Sequence, residues 1–288
     1  MPEGPEVEVV RRGLSEVIGD ELMLFEVANH KKYRQLQRYI SVLEGYKLSE
    51  ITRRGKFLIW EFTKKNSILY GLNHLGMTGV WYLFSQSKWE DEIKKPSKFK
   101  HYKLHFQFSS GLHLLFIDAR TFGRYEIYED KEIFELPQIK YLGPDILDDN
   151  FDVVKFTKRI RGIKNNRVIE IGKALLDPKV ASGCGNIYKN EALFIAKINP
   201  FTRVNLLSDA EIQNLAYALI EVGKKALLNK GTTFRDYMHV DGYSGLMQNH
   251  LMVYGKDSQP CPNCKSIIES GKQGDRTSFW CNHCQPLR

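Results

Sequence analysis

Residues 102–129 read YKLHFQFSSGLHLLFIDARTFGRYEIYE. Apolar and polar residues alternate on both sides of Ser109-Ser110-Gly111, which is the pattern of a β-hairpin with its turn at those three residues. The same texture continues upstream. YKLSEITRRGKFLIWEF (46–62) alternates and then becomes an apolar and aromatic run, and ILYGLNHLGMTGVWYLF (68–84) reads as strand, turn and strand. Short strands with turn signals from about residue 22 to 130 predict a β-sandwich or a barrel.

A helix is expected in front of these strands. Pro5 suits a first helical turn. Val7, Val10, Leu14, Val17 and Ile18 follow at three- and four-residue steps, and Gly19 stops the pattern. Segment 86–101, with Lys94, Lys95, Pro96, Lys98 and Lys100, reads as an exposed basic loop. ELPQIKYLGPDILDDN (135–150) carries Pro137, Gly143 and Pro144 and reads as a linker.

Helical periodicity follows. Ser208 with Glu211 makes a capping-box pattern, opening a helix through about Asn229 with Ile212, Leu215, Leu219, Ile220 and Leu227 as its stripe. The expected division is 1–136 for the β domain with its flanking helix, 137–150 for a linker, 151–250 for a helical domain and 251–288 for a cysteine module. The fold class is therefore α+β and multidomain.

The chain of 288 residues has 42 Lys plus Arg against 34 Asp plus Glu, a net charge of +8. This favours a polyanionic partner, nucleic acid first and an anionic membrane surface second. No apolar run approaches the ~20 residues that cross a bilayer, and no signal-peptide core follows the first basic residues. An intracellular, soluble protein is expected, cytoplasmic or nuclear.

Of 5 cysteines, four form Cys261-x-x-Cys264 and Cys281-x-x-Cys284 with sixteen residues between. In a reducing compartment this spacing points to metal rather than disulfides: one structural Zn2+ in a closed four-thiolate site, with iron in a rubredoxin-like site as the alternative. Between the knuckles, Gly274-Asp275 reads as a turn presenting Arg276, a side chain suited to bidentate phosphate recognition. Cys184 stands alone and reads as a small buried side chain.

The chain begins MPEGPEVE. If Met1 is removed, Pro2 becomes a terminal secondary amine beside the acid Glu3. Such an amine is partly unprotonated near neutrality and forms an iminium ion on attacking an electrophilic carbon. With Met1 retained, the Pro2 nitrogen is a tertiary amide and cannot attack.

Taken together, PEGPEVE (2–8), RRGK (53–56), HLGMTG (74–79), DARTFG (118–123), GNIYKNEALF (185–194), GTTFRDY (231–237) and DRTSFWCNHCQ (275–285) resemble the formamidopyrimidine-DNA glycosylase and endonuclease VIII family of base-excision enzymes, over nearly the whole chain. The resemblance implies an N-terminal β-sandwich, a helix-two-turns-helix domain and a zinc finger hairpin, with DNA in the cleft between domains.

The resemblance implies roles as well. Pro2 is the nucleophile at C1′ of the damaged nucleotide, and Glu3 is the acid for the deoxyribose ring oxygen, with a pKa expected to be raised by burial. Lys56, Asn186 and Arg276 hold the flanking phosphates. Met77 fills the gap left by base extrusion, Phe122 wedges between base pairs, Arg120 faces the orphaned base, and His74 positions its loop at the DNA. Glu6 supports helix and site, Arg53 and Arg54 supply general positive field, and 231–250 forms a lid.

The expected activity is that of a bifunctional glycosylase and AP lyase. It passes through a Schiff base on Pro2 and ends in β,δ-elimination, acting as a monomer on damaged DNA without nucleotide cofactor or membrane. PEGP leans toward the endonuclease VIII-like branch and oxidised pyrimidines with a broad range. DARTFG, HLGM and GTTFRDY lean toward formamidopyrimidine and 8-oxoguanine. A damage-binding zinc protein without chemistry is the alternative if Met1 stays.

Overall fold

The hairpin at 102–118 forms as its alternation predicts. In the computed structural model, which describes residues 1–92, 100–232 and 245–288, it supplies two of the ten strands among those residues. These are β1 (Leu22–Val27), β2 (Lys47–Arg54), β3 (Phe57–Lys64), β4 (Ser67–His74), β5 (Gly79–Ser85), β6 (Tyr102–Phe108), β7 (Leu112–Asp118), β8 (Arg124–Glu129), β9 (Ile268–Gln273) and β10 (Arg276–Cys281). The described chain falls into two units. The first holds Met1–Pro2, Glu6–Lys140 and Thr232–Gly245; the second holds Glu3–Pro5, Tyr141–Gly231 and Leu246–Arg288.

In the first unit two four-stranded antiparallel sheets, ordered β1-β6-β7-β5 and β2-β3-β4-β8, face one another. Leu104, Phe106 and Phe108 of β6 and Leu114 and Phe116 of β7 meet Leu58, Trp60 and Phe62 of β3 in one buried core. Trp60 and Trp81 lie 5.0 Å apart at its centre. This is a sandwich, and it settles the choice left open with a barrel. The apolar run KFLIWEF is explained by burial on both faces of β3. Ile59 joins Tyr70, Leu72, Ile133 and Ile139 in a second small cluster, where the helical turns Glu132–Glu135 and Pro137–Lys140 lie. The N-terminal helix spans Gly4–Gly13. Its Val7 and Val10, with Leu14 and Val17 of the following 3-10 turn, are buried in the sandwich core.

The second unit is helical, with Val153–Arg161, Ile171–Ala174, Asn186–Ile195 and Asp209–Leu228 as its helices of four residues or more. The capping box at Ser208 and Glu211 forms with both bonds present. Leu193, Ile212, Leu215, Leu219 and Val222 lie in one buried core. β9 and β10 pair antiparallel, Arg276 opposite Gln273.

Of segment 86–101, Gln86–Glu92 is a helix rather than a loop. Lys94, Lys95, Pro96 and Lys98 lie outside the described residues, as do 233–244 of the expected lid. Met247–His250, at the end of that segment, is a 3-10 turn with Met247 buried.

Candidate nucleic-acid interface and metal centre

In the second unit Glu3 is 3% exposed. Its carboxylate accepts from the backbone amides of Ile187 (2.8 Å) and Tyr188 (3.3 Å), at the N-terminus of helix Asn186–Ile195. The first amides of an α-helix point out of its end, and the helix dipole favours a negative group there. Gly4 N donates to Gly183 O at 2.8 Å. Gly185 admits no side chain, because a Cβ there would stand 2.2 Å from Glu3 Cδ. The glycines of SGCGN thus let the backbone close on the acid.

The same helix reaches the zinc hairpin. Asn186 Nδ2 donates to Thr277 O at 2.9 Å. Arg276, its side chain 41% exposed, opens β10 immediately after the Gly274-Asp275 turn. Sequence reasoning missed three residues here. The Tyr254 phenol is pushed up by burial and then by Glu3, while Asn186 and Arg276 pull it back. Lys189 is fully buried beside Ser278. Glu191 is also fully buried, and its carboxylate accepts from the amides of Met252, Val253 and Tyr254 at 2.7, 3.0 and 2.8 Å. A charged residue inside an apolar helix was the available signal for the last two.

Cys261, Cys264, Cys281 and Cys284 bring their sulfurs within 4.8 Å of one another. Two pairs stand at 3.9 and 3.4 Å. A tetrahedral zinc with sulfur ligands needs them about 3.8 Å apart, so the set fits. Burial, then hydrogen bonding with neighbouring thiols, pushes Cys284 up to about 12. Four thiolates side by side require a cation, and these four hold one structural Zn2+ with no open position. Cys184 is 3% exposed and stands apart from this cluster, as its isolation in the sequence suggests.

In the first unit Pro2 is buried. Lys56 is half-buried in the two-residue turn joining β2 to β3, where Gly55 takes φ 59°. His74 ends β4. Its Nδ1 accepts from Gly76 N at 3.0 Å, and its ring lies 5.0 Å from that of Phe57. Burial, followed by Lys56, Arg124 and Lys32, pushes His74 down to about 4. The imidazole is neutral at pH 7, and acceptance at Nδ1 places its proton on Nε2 as a donor.

Met77 lies in the connection from β4 to β5, and Arg120 and Phe122 lie in the one from β7 to β8. Both connections cross between the two sheets, and Gly76 leaves no room for a Cβ against Gly123 N. Asp118 ties them: Thr78 Oγ1 donates to Oδ1 at 2.5 Å and Gly123 N donates to Oδ2 at 2.6 Å. Thr121 is held at φ 57°, a strained setting for a β-branched residue, and its carbonyl accepts from Lys32 Nζ at 2.8 Å. Phe122 is 49% exposed, with the Arg120 guanidinium 4.9 Å over its ring. Met77 is half-buried.

Two supporting residues have definite places. Glu6 Oε1 accepts from Thr232 N (2.7 Å) and Thr232 Oγ1 (3.0 Å). Arg53 also has a definite place. Its side chain is 10% exposed, pairs with Glu8 Oε2 at 3.4 Å and donates to Gly55 O at 2.7 Å. Arg54 is exposed. Among the described residues no helix is long and apolar enough to cross a membrane.

Comparison with known proteins covers the same elements. The model of the formamidopyrimidine-DNA glycosylase N-terminal domain matches residues 1–125, that of the formamidopyrimidine-DNA glycosylase H2TH domain residues 142–237, and that of the zinc finger found in FPG and IleRS residues 258–287. The formamidopyrimidine-DNA glycosylase of Streptococcus thermophilus is 35% identical over 287 residues, 99% of each chain. Wild-type Lactococcus lactis Fpg in complex with N7-benzyl-Fapy-dG DNA superposes with a TM-score of 0.85 at 30% identity, covering 99% of this chain and 100% of that one. Its complex with DNA containing an oxidised pyrimidine gives 0.83 at the same identity and coverage.

Proposed function

We propose that this chain, which belongs to the formamidopyrimidine-DNA glycosylase family, excises oxidised purines of the formamidopyrimidine and 8-oxoguanine type from duplex DNA and then cleaves the strand as an AP lyase. The lean toward oxidised pyrimidines gives way. It rested on PEGP alone, whereas the formamidopyrimidine name attaches to relatives matched end to end. Oxidised pyrimidines remain a secondary substrate, as bound by the Lactococcus lactis Fpg.

The observation that carries this reading is the placement of Glu3. A buried carboxylate, seated on two backbone amides at a helix N-terminus, directly follows the residue whose nitrogen is to react. In the proposed sequence the unblocked Pro2 nitrogen attacks C1′ of the extruded nucleotide. The C1′–base bond breaks with its electron pair leaving on the base, which takes up the proton released by the Pro2 nitrogen. Glu3 protonates the ring oxygen, the sugar opens, and C1′ is left as an iminium on Pro2. Loss of a C2′ proton expels the 3′ phosphate, and a second elimination expels the 5′ phosphate.

Lys56, His74 through Nε2–H, Asn186 and Arg276 neutralise and orient the phosphates around the lesion. Met77 and Phe122 occupy the space left by the base, with Arg120 facing its former partner. The zinc ion braces the hairpin and takes no part in the chemistry.

Borohydride reduction during turnover of an 8-oxoguanine duplex tests the reading. A protein–DNA adduct mapped to Pro2 is expected, with faster excision of formamidopyrimidine and 8-oxoguanine than of oxidised pyrimidines across a lesion panel. Tight, salt-dependent binding with no adduct would instead support a damage-binding protein with a blocked terminus. N-terminal mass analysis of the same preparation shows whether the amine exists.

A further inference from the structure

One face of helix Asn186–Ile195 grips β10 at three consecutive residues. Asn186 Nδ2 donates to Thr277 O at 2.9 Å, Lys189 Nζ donates to Ser278 Oγ at 2.7 Å, and Phe279 N donates to Asn190 Oδ1 at 3.0 Å. Residues three and four apart on a helix share a face, so 186, 189 and 190 form one seam.

Lys189 is its unusual member. It is fully buried, which lysine seldom is without partners. Its ammonium also reaches Gln273 Oε1 at 3.4 Å, and Ser278 Oγ donates to that same oxygen at 2.7 Å. Gln273 Nε2 in turn donates to Glu170 Oε2 and Pro200 O, both at 2.9 Å. Gln273 is the cross-strand partner of Arg276. Lys189 therefore touches both strands of the hairpin where its turn presents Arg276.

The charged and titratable groups facing the ammonium are Cys184, Glu3 and Glu170, which favour its charge, and Arg276, which opposes it. Burial outweighs them and brings Lys189 down to about 8.

We infer that Lys189 is a positioning residue for Arg276: it locks both hairpin strands to the Asn186 helix, so that the guanidinium meets a DNA phosphate in one fixed orientation. This rests on the reading of Arg276 as a phosphate contact. Lys189 itself touches no substrate.

The test is a double-mutant cycle on zinc-loaded protein, read as affinity for a duplex carrying a tetrahydrofuran abasic analogue at fixed salt. Lys189→Met should bind about tenfold more weakly than the parent, and Arg276→Ala more weakly still. Lys189→Met in the Arg276→Ala background should cost nothing further. A second readout separates positioning from simple packing. Parental affinity should fall as pH rises through about 8, where Lys189 loses its proton, and Lys189→Met should lack that step.

If Lys189→Met yields no folded protein, Ser278→Ala removes the acceptor and should show the same non-additivity with a smaller factor. Unchanged binding by Lys189→Met, or losses that multiply in the double variant, overturns the inference while leaving Arg276 in its role. Unchanged binding by Arg276→Ala overturns the phosphate reading and this inference with it.

Discussion

At the scale of one residue, Glu3 has two occupations to separate. Its two amide contacts give it a purely structural occupation, pinning the start of a helix. The proposed reaction gives it a catalytic one, as the acid beside Pro2. The two separate in Glu3→Gln, which keeps an oxygen acceptor for the helix amides and has no proton to give. Single-turnover base removal should fall by about 10²–10⁴-fold, with duplex affinity within about threefold of the parent. Normal excision by this variant would leave Glu3 a capping residue only. The acid at position 3 and the apolar pattern of GNIYKNEALF were legible, because each is a local feature of the sequence. Lys189 and Tyr254 were not, since their partners lie in distant segments and only the folded register brings them together.

At the scale of elements, strands were easier to read than their outer faces. The alternation of β6 and β7 fixes which residues enter the core, and it assigns His105 and His113 to the opposite face, where sequence gives polar side chains no partner. The structure supplies one in helix Gln86–Glu92, which a lysine-rich segment concealed. Trp89 stacks on His105 at 4.4 Å and on His113 at 4.8 Å between ring centroids. A hydrogen-bonded chain runs from Glu26 to His105 (2.7 Å), from His105 to His113 (3.0 Å) and from His113 to Gln86 (2.8 Å). Burial lowers His105, though Glu26 opposes it, and burial with His105 brings His113 down to about 4. An unfolded histidine takes up its proton near pH 6.5. The unfolded chain therefore binds more protons between about 6.5 and 4, so this cluster's stabilisation is complete above that window and is lost as pH falls through it. Denaturant titrations of the parent should show stability dropping between pH 6.5 and 4, by on the order of 2 kcal/mol for His113. His113→Gln should flatten that drop while keeping neutral-pH DNA binding. An equally steep profile in the variant would assign the acid sensitivity to other groups, His74 first.

Across the whole molecule, a net charge of +8 does not say which cations meet DNA, whereas the salt dependence of binding does. Each cationic side chain on a phosphate displaces condensed counterions and adds about −0.9 to the slope of log affinity against log salt. Lys56 belongs to the sandwich unit and Arg276 to the helical one. If both contact phosphate, Lys56→Ala and Arg276→Ala should each flatten the slope by about 1, and the double variant by about 2. Phe122→Ala should weaken binding to a lesion duplex with its slope intact, because an apolar wedge releases no counterion. Metal removal extends the argument. Around the four cysteines, Phe194, Val253 and Ile268 make a small core too thin to hold a hairpin of two six-residue strands without its ion. Chelated protein should keep the sandwich and helical signals in circular dichroism yet bind DNA with the slope of Arg276→Ala, and returning zinc should restore the parental slope. A chelated protein that keeps the full slope would mean that Arg276 is held without the metal, or that it never reaches the phosphate at all.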